Sequence, residues 1–519
     1  MSNLTYPAPP RADADESVYA VLREGLLRNR FFTREVLAYT GIKDLGELVK
    51  IGGGAEVPSA GFDQPVEALC QLFFWSRAIR EDELRATLGD SFVSAAIEVG
   101  LVAPYAEAPG TLRALAALYP LPDTGPSTGN ESGAIWAASD RLAGTEEERN
   151  AQPADVVFCP LAATGATFLS LLPKTPCARF LEVCAGCAPA ALLARDFANE
   201  IVASDLAERS VAFARFVAKL NGCGAMQVHQ GASYDGIAGS FDRIAAHPPY
   251  MPAFGETEIY YGGGSTGMDV TESLVRGLPD KLALGGIFFC ATFLLEGPDR
   301  SAEQLVRSWL GETADSFDVL IYPQYFQSVL EVAQRAAIKS KEGYPMVERA
   351  FQFLAEKGFQ VGIVGLLVIR RHTEPTPPAT ARRRLGDDLR WEHILWSLEA
   401  EHLAASDPDG SKALEASYRV CDSVELLVTH RPSPEGFAAA GFKLKTGSPF
   451  AIETQVDGWM SYLLARADGS MTGRQLMESC IADQMILPQT PPAEFARLLW
   501  TFVGGAALES SLCPLPSPE

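Results

Sequence analysis

Apolar positions recur along this chain with two different periods, and the change of period divides it into three sections. From about residue 15 to 120, VYAVLREGLLRNRF and EDELRATLGDSFVSAAIEVGLV place apolar residues at helical spacing. The second stretch ends in a glycine turn and a short apolar segment, the order of a winged helix. From about 134 to 372, short apolar runs alternate with amphipathic stretches. RFLEVCA, EIVASD, FDRIAAHPPY, GGIFFCATFLL, FDVLIYPQ and QVGIVGLLVIRRH read as strands. APAALLARDFAN, AERSVAFARFVAKLNG and TESLVRGLPDKL read as helices. This alternation predicts an α/β section with a mainly parallel sheet and helices on both faces. Ligands in such sheets bind beyond the carboxyl ends of the strands. In the last section, WEHILWSLEAEHLAA predicts a helix, and SVELLVTH and GFKLKT predict strands. Two further amphipathic helices follow around the Asp-Gly turn of ARADGSMTGRQ, again in winged-helix-like order.

Two Pro-rich stretches, residues 120–133 and 373–384, fall between these sections. They set the expected domains at 1–125 (helical, winged-helix-like), 126–375 (α/β) and 376–519 (α+β with a winged-helix-like segment). Linkers of this composition suggest separable units. Arg382-Arg383-Arg384 at the end of the second linker reads as a solvated basic run.

Charge narrows the range of partners. Lys and Arg total 43 against 65 Asp and Glu, a net charge of −22. A broad duplex nucleic-acid surface needs clustered Lys and Arg, so this balance disfavours one. The strongly apolar runs fall well short of the roughly 20 residues that span a membrane. The first residues carry no apolar signal core, so a cytoplasmic protein with no membrane contact is expected. The ten cysteines then predict no disulfide framework. One CxxC occurs, Cys184 to Cys187, without a second pair at metal spacing, and reads as small residues lining a turn. No metal site is expected. His229, His372, His393, His402 and His430 are scattered singly.

Two constellations carry chemistry. LEVCAGCAPAALLA puts Glu182 at a strand end, then a tight turn of small residues, then a helix. Small residues let backbone approach a nucleotide-like ligand. IVASDL puts Asp205 at the end of the next strand, where a carboxylate can accept ribose hydroxyls. The second constellation, His247-Pro248-Pro249-Tyr250, closes the strand FDRIAA. Two prolines fix the loop and remove two N–H donors. Carbonyl acceptors remain, which suits holding an N–H nucleophile, and Tyr250 offers a face for a planar group.

In this order these motifs resemble the class I S-adenosylmethionine-dependent methyltransferases, in particular the branch with an Asn/Asp-Pro-Pro-Tyr/Phe loop. That branch includes the release-factor glutamine methyltransferases and the small-domain N-methyltransferases. The resemblance covers roughly residues 134–372 and implies a Rossmann-like, mainly parallel seven-stranded sheet. It also implies S-adenosyl-L-methionine as cofactor and S-adenosyl-L-homocysteine as product. Of the family's three motif glycines only Gly186 stands; Cys184 and Ala188 replace the others. By resemblance, Thr167, Glu182, Cys184, Ala185, Gly186, Asp205, Leu206, Ser233 and His247 line the cofactor. Glu182 would face its methionine end and Asp205 its ribose, while Ser233 stands where the family often has an acid. His247, Pro248 and Tyr250 would carry catalysis.

His247 replaces the family's Asn or Asp. A neutral imidazole offers one acceptor nitrogen, and its unperturbed pKa near 6.5 also permits general-base work. The expected function is N-methylation of an amide, amine or amidine in a protein, peptide or small molecule. Methylation of an exocyclic base amine in RNA or DNA is the second reading. The third is a worn cofactor fold kept as a scaffold or interaction module.

Overall fold

The computed structural model describes residues 6–52, 61–122, 133–162, 164–254, 258–338 and 342–516. Most of the first Pro-rich linker therefore lies outside the described residues. A central sheet is built from β1 (Cys177–Val183), β2 (Ala198–Asp205), β3 (Gln227–Gln230), β4 (Phe241–Ala246), β5 (Leu282–Glu296), β6 (Phe317–Ser328), β7 (Val361–Arg371) and β8 (Thr380–Arg382). Their spatial order is β8-β6-β7-β5-β4-β1-β2-β3. β7 runs antiparallel to both its neighbours, and every other pairing is parallel.

Among the described residues the sheet thus has eight strands rather than the expected seven. β8 lies past the expected boundary at 375, in the second Pro-rich stretch. It pairs with β6 from Val319↔Thr380 to Ile321↔Arg382. Two arginines of the basic run are correspondingly held by acids, while Arg384 is exposed as expected of a solvated run. Arg382 pairs with Glu296 at 2.6 Å and Glu303 at 2.7 Å. Arg383 pairs with Glu401 and donates to the Gly504 carbonyl at 2.6 Å.

Side chains alternate across the strands and build two cores. Leu181, Val183, Ile244, Phe288, Cys290, Leu367 and Ile369 point to one face, under the helices Asp269–Lys281 and Ala302–Leu310. Phe180, Ala245, Phe289, Ala291, Leu366 and Val368 point to the other, where both flanking sections complete the packing. Tyr19 meets Phe216 of the helix Glu208–Leu220 at 6.3 Å between rings, and Tyr322 meets Phe450 at 6.0 Å. One buried cluster consequently runs from Tyr19 to Cys513. In the first section, the helices Glu81–Leu88 and Asp90–Glu98 stand between the strand Ile79–Arg80 and the strands Val102–Pro104 and Thr111–Ala114 of one three-stranded antiparallel sheet. In the last, the helices Gly458–Arg466 and Gly473–Ala482 flank the strand Asp468–Thr472. No helix among the described residues is long and apolar enough to cross a membrane.

Two histidines that look isolated in sequence meet at Asp318 on β6. Asp318 Oδ1 lies 2.9 Å from His372 Nε2 and accepts from the Ala379 N–H at 2.8 Å. Oδ2 accepts from Arg370 at 2.8 Å and lies 3.2 Å from His402 Nδ1. His402 belongs to the helix Trp391–Ala405. The aspartate therefore ties together the sheet, the linker and the last section. Its carboxylate is filled by donors, one of them a guanidinium, which suits a structural junction better than a metal site.

Candidate active site

Strand register assembles the site. Val183 on β1 lies opposite Ser204 on β2 and Ala246 on β4. The next residue of each strand, Cys184, Asp205 and His247, is therefore delivered at the same level. They stand at the strand ends beside the junction of β1 and β4, where the sheet order reverses and crossovers depart in opposite directions, the place where ligands bind in open α/β sheets.

The small-residue turn keeps a glycine backbone without keeping the glycines. Cys184, Gly186 and Ala188 have φ of +53°, +54° and +57°. A left-handed conformation costs a non-glycine residue about 1–2 kcal/mol. The surrounding contacts hold it. The Ala185 N–H donates to the Ser204 carbonyl at 3.1 Å, and the Ala188 N–H to the Ala185 carbonyl at 2.7 Å. A Cβ on Gly186 would meet nothing within 4 Å, so the turn's middle faces open space. Cys187 is buried behind it.

The two acids brace this turn from within. Glu182 is 2% exposed and accepts the Ala191 N–H at 2.7 Å, at the start of the helix Pro189–Ala194. Burial pushes its pKa up to about 8, against the pull of the Ala191 and Ala190 N–H groups. Asp205 accepts from Gly186 N–H at 2.8 Å and Ala207 N–H at 2.9 Å. Burial raises its pKa too, and those same N–H bonds oppose the rise. The Ser210 hydroxyl and the Leu206 N–H also bond the Asp205 carboxylate and favour its ionised form. Beside it Leu206 is 56% exposed, an apolar side chain at the rim. Ser233 follows β3 with φ +49°, and its hydroxyl lies 3.2 Å from that of Ser273.

His247 and Tyr250 form a stacked pair, 5.8 Å between ring centres and 12° from parallel. Burial alone pushes the His247 pKa down from 6.5 to about 4, so the ring is neutral at pH 7. Pro248 is buried beneath the loop. The Gly-rich segment behind braces it: Met251 N–H donates to the Tyr261 carbonyl at 3.1 Å, and Gly263 N–H to the Met251 carbonyl at 2.8 Å. A Cβ on Gly263 would fall 2.7 Å from the Pro249 carbonyl and 2.8 Å from Tyr250 Cα. Only glycine permits that approach.

One member of the site escaped the sequence reading. The Thr164 hydroxyl lies 3.1 Å from His247 Nε2 and 2.8 Å from the Tyr250 hydroxyl, joining the two rings. Thr167, expected as a cofactor neighbour, accepts from Gln324 on β6 at 3.3 Å. Both stand in the short helix Thr164–Ser170, and a difference of three residues decides which strand each one meets. The available signal was Gly165. A Cβ there would come within 1.9 Å of the Pro160 carbonyl, so the helix can lie against this loop only with glycine at that point.

No protein-family model matches the chain. Over 123 residues it is 28% identical to the release factor glutamine methyltransferase of Deinococcus radiodurans, covering 22% of this chain and 44% of that protein. Over 118 residues it is 26% identical to a putative protein N5-glutamine methyltransferase of Methanocaldococcus jannaschii, covering 22% of this chain and 59% of that one. The chain spans about half the length of the curated relatives it matches. Among solved structures, geranyl diphosphate C-methyltransferase from Streptomyces coelicolor aligns over 41% of this chain and 79% of its own, at 15% identity and a TM-score of 0.25. A likeness of that depth carries no argument about function. By its relatives, the chain resembles a class I S-adenosylmethionine-dependent methyltransferase of the release-factor glutamine methyltransferase kind.

Proposed function

We propose that the protein is an S-adenosylmethionine-dependent N-methyltransferase acting on an amide, amine or amidine nitrogen of a protein, peptide or small molecule. The observation that carries this reading is the common level of Cys184, Asp205 and His247 at the strand ends where the sheet order reverses. The residues fit the cofactor: open space before Gly186, the Asp205 carboxylate at the end of the neighbouring strand, and exposed Leu206 as an apolar surface for a base. The cofactor supplies an electrophilic methyl on a sulfonium. The chain's task is to bind, orient and exclude water.

His247 is the group that orients the acceptor. With its proton on Nε2, the ring donates to Thr164, and Thr164 in turn donates to the Tyr250 oxygen. That leaves the Nδ1 lone pair to accept an N–H. The opposite tautomer turns Nδ1 into a donor and cannot hold an N–H nucleophile. Tyr250 supplies the neighbouring wall for a planar amide or base. A ring with a pKa near 4 is a poor proton store at neutral pH, which favours the acceptor role over the base role. The relatives' printed names, both glutamine methyltransferases, support an amide nitrogen in a protein.

Calorimetry with S-adenosylhomocysteine is the direct test. Asp205→Ala is expected to weaken binding by about 2–3 kcal/mol, roughly 30- to 150-fold, as for hydrogen bonds to a charged group. Unchanged affinity in a folded variant removes Asp205 from the site, and absence of binding by the wild-type protein leaves the scaffold reading standing. Gly186→Ala separates strain from contact. Its φ of +54° costs the fold about 1–2 kcal/mol in denaturant titration. Its new methyl, with nothing within 4 Å in the protein itself, is expected to intrude on the cofactor and lower affinity more than tenfold. Equal affinity would place the cofactor away from this turn.

A further inference from the structure

The last section carries a three-stranded antiparallel arm: an outer strand Val424–Ser433, a middle strand Gly436–Thr446 and an inner strand Ile452–Val456. Its register sorts the side chains cleanly. Val424, Leu426 and Val428 share one face with Thr446, Leu444 and Phe442, which oppose them. Glu425 and Leu427 share the other face with Lys445 and Lys443. The apolar face starts inside the molecule, where Leu444 and Thr446 are buried, and runs outward into solvent. There Leu426 and Val428 are each 38% exposed, and Phe437 near the tip is 74% exposed. No strand among the described residues pairs with the outer edge of Val424–Ser433. A ten-residue edge of this kind is a template for another strand; it carries no lysine, and its one proline, Pro432, stands next to its last residue.

We propose that this edge joins two copies of the chain about a two-fold axis through Val428, making one continuous sheet from three strands of each copy. The sequence of the edge is self-complementary in that register. Antiparallel pairing centred on Val428 sets Leu427 against Thr429, Leu426 against His430, Glu425 against Arg431 and Val424 against Pro432. Each pair falls on a common face, as pairing requires. The one acid and the one arginine of the strand meet twice, once on each side of the axis. Moving the axis by one residue, to Leu427 or Thr429, sets Glu425 against Thr429 or Ser433 and loses both charge pairs. A two-fold contact needs the same patch on both partners, and opposite charges across it favour this register. The apolar face of each copy then continues across the junction through Leu426 and Val428, giving a surface that is half-exposed in one copy a neighbour in the other.

Sedimentation of the full chain tests this directly. The wild-type protein is expected to be a dimer at tens of micromolar. Arg431→Glu, which sets two acids against each other twice, should weaken dimerisation by about tenfold or more. Glu425→Arg should do likewise. The double variant Glu425→Arg/Arg431→Glu restores opposite charges in the same register and should recover the dimer. Circular dichroism and S-adenosylhomocysteine binding should match wild type in all three, since neither residue belongs to the central sheet. A monomeric wild type overturns the proposal. So does a dimer indifferent to the single changes, or a double variant that fails to recover.

Discussion

Replacing His247 by Ala is expected to lower turnover by about 100-fold or more while leaving S-adenosylhomocysteine affinity nearly unchanged. The imidazole is tied to Thr164 at 3.1 Å and stacked on Tyr250, and makes no hydrogen bond to Asp205 or to the turn among those described. Removing it takes away the acceptor for the substrate N–H and one support of the Tyr250 ring. His247→Asn restores an acceptor and should keep substantial activity if orientation is the ring's role. The pH profile adds a second readout. Burial holds the histidine pKa near 4, so the neutral form persists throughout pH 6–8 and the rate should be flat there. Activity due to this group should fall only as pH approaches about 4, because protonation fills the Nδ1 lone pair. A wild-type rate that declines through pH 6.5 would instead mark a solvated histidine acting as base. Thr164→Val should reproduce part of the loss, since it frees the tautomer without removing the ring, and a full rate in that variant would remove Thr164 from a positioning role.

The largest effect on stability is expected at Asp318, far from the chemistry. Asp318→Ala leaves the Arg370 guanidinium, the His372 ring and the Ala379 N–H without their shared acceptor in a buried place. Breaking a buried charge pair from one side costs about 3–5 kcal/mol. Arg370 keeps Glu399 at 3.1 Å, which softens but does not replace the loss. The same junction carries an acid dependence. Burial pushes the Asp318 pKa up, but the Ala379 N–H, Arg370 and His372 outweigh it, and the net shift is downward. A carboxyl group whose native pKa is depressed stabilises the fold above its unfolded pKa, about 3.9. That contribution disappears as pH falls through the lower native value. Denaturant titrations of wild type and Asp318→Ala should therefore differ by a constant amount from pH 7 down to about 5, then converge below about 4. A gap that persists undiminished into acid would show that packing, not the ionised carboxylate, holds this junction. Cofactor affinity per folded molecule should not change, because Asp318 lies on β6, outside the strands β1, β2 and β4 that carry the site.

Local pattern was enough to mark the candidate residues along the chain. The strand ends at Val183, Asp205 and Ala246 follow from short apolar runs closed by small or polar residues. The turn after β1 and the His247-Pro248-Pro249-Tyr250 loop announce themselves by residue type, because each needs an unusual backbone. What the pattern did not contain is anything that depends on register or on which face of a helix turns inward. Thr167 and Thr164 are equivalent in composition, and only the packing of the helix against the Pro160 carbonyl through Gly165 sends Thr164 to the two rings. The acids of the turn show the same divide. Residue type marked Glu182 and Asp205 as polar groups at strand ends, but only three dimensions turn Asp205 onto the turn's Gly186 N–H and Glu182 onto the Ala191 N–H of the helix that follows. His372 and His402, thirty residues apart in the chain, meet at Asp318 because a strand and a helix cross there. β8 was hidden in a Pro-rich stretch, since a three-residue edge strand is selected by its neighbour rather than by its own periodicity. Sequence alone determined the main strands and helices of the α/β section and the residue types its turns require, because those are set by backbone sterics within a few residues. The protonation of His247, the partners of the basic run and the common core of all three sections were decided by burial and long-range contact, which only the tertiary structure creates.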